Sequence, residues 1–160
     1  SHKIVISTSN LVTMLGGKWT TYRKMAEDML NNIEETMQWP RRRSETKSLL
    51  IHGCMQVKQD DPFYFYGTDA ACLNTDEEGW VSKTLHIHRS QIEWAVNNEM
   101  CRTVEDFLAR RTRALILDAK ESLRIAPEVA TLMSNLLDQD ANWITKQVSS
   151  YNEVAEKYIL

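Results

Sequence analysis

Five glycines in 160 residues constrain this chain more than any other feature. They stand at 16, 17, 53, 67 and 79, about 3% of the residues against a usual ~7%. Tight turns around a phosphate are built from glycine, because a residue without Cβ takes positive φ freely and lets a ligand approach the main chain. With these positions neither GxGxxG nor GxxxxGKS/T can be written anywhere, so the chain holds no Rossmann fingerprint and no P-loop. Only 3 prolines accompany them. Scarcity of both helix breakers points to helix.

Composition narrows the class. At 160 residues, 42% of them hydrophobic and 26% charged, the chain has material for one real core without disulfide or metal. A net charge of −3 argues against nucleic acid as a partner. No apolar run approaches the ~18 residues of a membrane-spanning helix, and no basic-then-apolar signal segment opens the chain. There is no initiator Met, so Ser1 reads as a processed start or an internal cut. The three cysteines, Cys54, Cys72 and Cys101, are odd in number and unpaired by motif, and read as free thiols in a reducing, cytoplasmic setting.

Along the chain, Ile4-Val5-Ile6 and Leu11-Val12 to Leu15 flank the turn-formers Ser7-Thr8-Ser9-Asn10, which predicts a hairpin ending at Gly16-Gly17. A lone hairpin is barely stable in water and wants a partner sheet. From Lys18 the period becomes helical: Tyr22, Ala26, Met29, Ile33 and Met37 recur every three or four residues, widened by Met25 and Leu30, until Pro40. The stretch from Pro40 to about Gly67 is irregular and holds Arg41-Arg42-Arg43, Leu49-Leu50-Ile51 and the aromatic run Phe63 to Tyr66. A short helix is expected around 69–73, closed by the acidic turn Asp76 to Gly79. Beyond it the pattern is that of a helical bundle. Ser90 with Glu93 reads as a capping box, Thr103 with Asp106 as a second helix start, and Pro127 as the first turn of a helix with apolar residues at 129, 132, 133, 136 and 137. Ala141, Ile144, Val148, Tyr151, Ala155 and Tyr158 form a last stripe.

Gly16-Gly17-Lys18-Trp19-Thr20-Thr21 is the segment richest in chemistry. Two glycines between a strand and a helix allow a sharp turn and a close ligand approach. The helix start offers unpaired amides and partial positive charge, Lys18 a full charge, and Thr20 and Thr21 hydroxyls. The set suits an anionic or electron-rich group; the plainer alternative is a strand–turn–helix corner with an exposed lysine and a threonine cap. His86 and His88 lack a third ligand at zinc spacing, so no metal site is expected. His52 beside Cys54 has no orienting partner, and Arg41 to Arg43 and Arg110 to Arg113 read as a solvated turn and a charge-laced helix face.

Gly16 to Glu27 (GGKWTTYRKMAE) resembles closely the signature of FAD-dependent glycerol-3-phosphate dehydrogenase of the aerobic respiratory type, and Leu11-Val12-Thr13 is similar to that family's last flavin-domain strand. A second stretch, Glu93 to Val96 and Glu99 to Arg113, is similar to the core of the family's C-terminal helical domain. The resemblance implies a mainly α fold of five to seven helices, with residues 1–17 as terminal strands of the FAD domain and residues 18–160 as the C-terminal α-helical cap. It implies oxidation of sn-glycerol 3-phosphate to dihydroxyacetone phosphate, with hydride passing from C2 to the flavin and electrons then to quinone, or to oxygen in oxidase relatives. The missing fingerprint would lie upstream, so the fragment alone is expected to be inactive. The implied cofactor is FAD, held by the parent and not by the fragment. The implied partners are the upstream FAD domain, substrate, quinone and a second copy as homodimer, and the parent is expected to be peripheral on the cytoplasmic membrane face. Lys18 is the implied catalytic residue, with Gly16, Gly17, Thr20 and Thr21 on the cofactor. The competing reading is a free-standing helical interaction module without an active site, which would have no use for the Gly-Gly-Lys corner.

Overall fold

The hairpin forms in the expected place. In the computed structural model, which describes residues 2–55, 62–74 and 76–159, β1 (His2–Ile6) pairs antiparallel with β2 (Val12–Gly16), Ile4 opposite Met14. The turn closes through Asn10, whose φ of 62° is tolerated by a short polar side chain, and through the Ser7 hydroxyl, which accepts from the Leu11 amide at 3.1 Å. A 3-10 turn, Trp19–Thr21, leads into α1 (Tyr22–Thr36), which stops four residues before Pro40. Met25, Met29, Ile33 and Met37 are its half-buried stripe. Tyr22, Ala26 and Leu30, expected on the same face, stay exposed. They border an open groove of about 870 Å³ together with Trp39, Leu49 and Leu50.

The chain divides into two units, Ser1–His52 and Gly53–Leu160. None of the described residues of the first unit is buried. The second unit carries the core. Its elements are β3 (Trp80–Ser82), β4 (Ile87–His88), α2 (Arg89–Asn98), a π-helical turn Asp106–Arg111, α3 (Ala114–Leu117), α4 (Ala119–Leu137) and α5 (Ala141–Ala155). Ile92, Phe107, Ile125, Met133 and Tyr151 meet at its centre with at most 1% exposure. A smaller cluster of Phe63, Tyr66 and Leu73 packs against Trp80 and Trp94. The protein is mainly α, as expected.

Three local expectations are corrected. The short helix near 69–73 is a longer 3-10 stretch, Tyr64–Cys72, broken at Gly67, where φ is 59° and any Cβ would strike the Gly53 carbonyl. The α2 cap is His88 and not Ser90: the His88 Nδ1 accepts the Ser90 amide at 3.1 Å while Gln91 Oε1 accepts the His88 amide at 2.7 Å. A neutral imidazole thus performs the reciprocal capping that a serine usually provides. Pro127 lies inside α4, because Asp118 caps the helix much earlier by accepting from the Glu121 amide at 2.9 Å. The second helix start does form as read, with Thr103 Oγ1 accepting from the Asp106 amide and Asp106 accepting from the Thr103 amide, both at 3.0 Å.

Candidate functional site

The corner between β2 and α1 brings the five predicted residues together in one continuous turn. Gly16 and Gly17 both take left-handed backbone, with φ of 77° and 93°. Side chains are strained there, and a Cβ on Gly17 would also meet the Met25 thioether. Lys18 returns to extended backbone, φ −127° and ψ 149°. Its carbonyl accepts both the Thr21 amide and the Thr21 hydroxyl at 2.9 Å, and its own amide donates to the same hydroxyl at 3.3 Å.

Charge around the corner is arranged unevenly. Arg23 pairs with Glu27 at 3.1 Å, and Lys24 with Asp28 at 2.8 Å. The hydrogen bond between the latter two raises the Lys24 ammonium and holds the Asp28 carboxyl below the ordinary range. His2 reaches Asp28 at 3.1 Å, tying the first strand to the helix. Lys18 is exposed and has no carboxylate within ion-pair distance among the described residues. No acid stands in the first turn of α1 to offset the partial positive charge there. Trp19, 91% exposed, and Thr20 stand outward, and among the described residues neither amide is used in a hydrogen bond. The result is a cationic corner with two free donors among the described residues, able to hold an anionic or electron-rich edge.

The other sequence candidates resolve into structure. His86 lies in a turn with φ of 50°, and His88 is buried, its Nε2 donating to the Asp76 carbonyl oxygen at 3.0 Å. No group of metal-ligating side chains is found among the described residues. Burial lifts Asp76 but the Arg89 guanidinium, 2.6 Å away, outweighs it and holds the carboxyl low. Arg110 pairs with Glu105 and Asp106, while Arg111 donates to the Glu99 carbonyl at 2.6 Å. Burial pushes the Cys101 thiol up to about 12, which makes it an inert core side chain. Sequence reasoning missed the Met25 seat beneath Gly17 and the double use of Thr21. The spacing of Lys18 to Thr21, that of a cap and its third residue, was the available signal.

A strand–turn–helix corner followed in sequence by a mainly helical unit is the class of chain that this fold defines. The sequence matches, over residues 7–143, the family described as the C-terminal domain of alpha-glycerophosphate oxidase, and the chain belongs to that family. It is similar to the mitochondrial glycerol-3-phosphate dehydrogenase of Macaca fascicularis, 25% identical with 99% of this chain and 25% of the relative covered. The Saccharomyces cerevisiae enzyme of the same name is 24% identical over 92% of this chain and 29% of its own length. A probable glycerol-3-phosphate dehydrogenase of Dictyostelium discoideum is 27% identical, with 86% and 25% covered. The chain thus spans about a quarter of the length of these relatives. No solved structure matches. No described helix is long and apolar enough to cross a membrane.

Proposed function

We propose that this chain is the C-terminal part of a flavoenzyme that oxidises sn-glycerol 3-phosphate to dihydroxyacetone phosphate, passing electrons through FAD to quinone. The observation that carries the reading is the corner itself: two left-handed glycines and, among the described residues, a Lys18 without an ion pair and unused amides on Trp19 and Thr20. FAD, when bound in the parent, supplies the two-electron acceptor. The residues present fit one edge of such a group, since Gly16 and Gly17 clear the backbone and the donors suit developing negative charge. They do not fit its nucleotide, for which the chain has no phosphate-cradling motif. Lys18 attracts the substrate phosphate or opposes charge on the reduced ring; Gly16, Gly17 and Thr20 shape and line the approach, and Thr21 completes the turn. The chain alone is inactive in this reading.

The upstream FAD domain is the proposed partner. Support comes from the first unit, where no described residue is buried and Leu30, Trp39 and Ile51 are exposed. A hairpin and helix without a core are marginal in water. Residues 1–17 belong with the upstream strands and residues 18–160 form the C-terminal helical cap, of which Gly53–Leu160 is the unit that carries the buried core. The parent is peripheral at the cytoplasmic membrane face, works in a reducing compartment consistent with its free thiols, and pairs as a homodimer.

The test is Lys18→Ala in the full-length parent. Loss of a preorganised charge at the reacting edge lowers kcat by about 10²–10³-fold, while the melting temperature stays at the wild-type value because Lys18 is exposed and makes no ion pair among the described residues. Equal turnover in mutant and wild type refutes the role.

A further inference from the structure

We propose that Thr21 is a positioning residue that fixes the direction in which Lys18 leaves the main chain, and that its hydroxyl does not touch cofactor or substrate. This rests on the reading of Lys18 given above. A hydroxyl has one proton to give, and Thr21 gives it to the Lys18 carbonyl at 2.9 Å. The same oxygen accepts the Lys18 amide at 3.3 Å. With the Thr21 amide also on that carbonyl, both polar main-chain groups of Lys18 are closed by one residue three positions on. Thr20, one residue earlier, has no such engagement among the described residues, so the two threonines of the motif do different work.

A second restraint acts on the residue before Lys18. The Met25 thioether occupies the space into which a Cβ on Gly17 would project, so the left-handed turn rests on the side chain of the helix it introduces. Lys18 is therefore held from both sides: its own peptide groups by Thr21, and the preceding backbone by Met25. What remains free is the lysine side chain alone. A charge used in a reaction gains most when its direction is set beforehand rather than found during the reaction. Releasing the Lys18 peptide groups would widen the cone its ammonium explores without removing the charge. Thr21 is exposed, so replacing its hydroxyl by a methyl of the same shape opens no cavity.

The test uses the full-length parent with its flavin bound, as Thr21→Val, Thr21→Ser and Lys18→Ala. The readouts are kcat and KM for glycerol 3-phosphate and the reduction potential of the bound flavin, which a nearby cation raises by stabilising the reduced ring. Thr21→Val is expected to lower kcat about tenfold, the weight of one or two hydrogen bonds, and to shift the potential in the same direction as Lys18→Ala but less far. Thr21→Ser, which keeps the hydroxyl, returns both to within about threefold of wild type. If Thr21→Val keeps wild-type turnover and potential while Lys18→Ala loses both, the positioning role is overturned and the Lys18 reading survives. If Thr21→Ser is as slow as Thr21→Val, the hydroxyl is not what acts and the proposal fails. If Lys18→Ala changes neither readout, the underlying reading falls and this inference with it.

Discussion

Amide hydrogen exchange on the 160-residue chain, diluted to prevent association, is expected to divide at His52/Gly53. The reason lies in where apolar surface is hidden. Every buried apolar side chain among the described residues lies at Phe63 or beyond. Fully burying one of the larger ones contributes roughly 1.5–3 kcal/mol, and Ile92, Phe107, Ile125, Met133 and Tyr151 are all buried this deeply. In the first unit Ile4, Ile6, Met14, Met29 and Ile33 are only half-buried, against an ordering cost of about 1–2 kcal/mol per residue of backbone. Local opening there should sit near zero, while α4 should approach the global stability of a domain, about 5–15 kcal/mol. A gap of at least ~4 kcal/mol corresponds to roughly 10³-fold slower exchange in α4 than in α1. Mass-resolved exchange at neutral pH measures this directly. Comparable protection in α1 and α4 of a monomer would refute the argument that the first unit depends on an outside partner.

Two further expectations concern the helical cap. Glu121 accepts from Arg124 through two bonds of 2.7 Å and from Ser82 at 2.5 Å, and these partners, Arg124 foremost, pull its carboxyl down to about 2. A depressed folded value means the contribution is complete above the ordinary 4.5 and lost as pH falls from there toward about 2. Glu121→Gln should lose about 1–2 kcal/mol at neutral pH, discounted for the exposed Arg124, and flatten the acid limb of a stability–pH curve; an unchanged acid limb would sink this. Pro127 lies exposed within α4, where it has no N–H to give to the preceding turn and so removes one helix bond. Pro127→Ala should stabilise the cap by roughly 1–3 kcal/mol in urea unfolding, and a loss of stability would contradict it.

Much of the fold was legible because period and breaker signals agreed with packing. The hairpin, α1 with its stop before Pro40, and the Thr103–Asp106 cap all follow from local chemistry. The misses have one physical source. Tertiary partners replaced the local ones: His88, held by the Asp76 carbonyl and faced by Trp80 at 5.3 Å, took the cap that Ser90 could have filled. Asp118 started α4 before Pro127 could, and packing of Ile125 and Ala126 carried the helix through the proline. In α1 the seven apolar positions read as one wide stripe, but only the Met25–Met37 side finds neighbours in the first unit. Periodicity reports which residues want cover. It does not report whether cover is present.

The same distinction governs the site. All five candidate residues were visible as types and spacing, and the turn does gather them, yet the division of labour between Thr20 and Thr21 was not. Both are hydroxyls at a helix start, and only the geometry assigns one to the Lys18 peptide groups and leaves the other outward. Local order at Lys18 therefore comes from three residues of this chain: Thr21, Gly17 and Met25. Hydrogen bonds of this kind preserve a direction within one turn, but they cannot hold the whole turn still when the helix behind it lacks a core. A corner built this way is ordered within its own turn, and on the proposed reading the rest of its support is what the upstream domain would add.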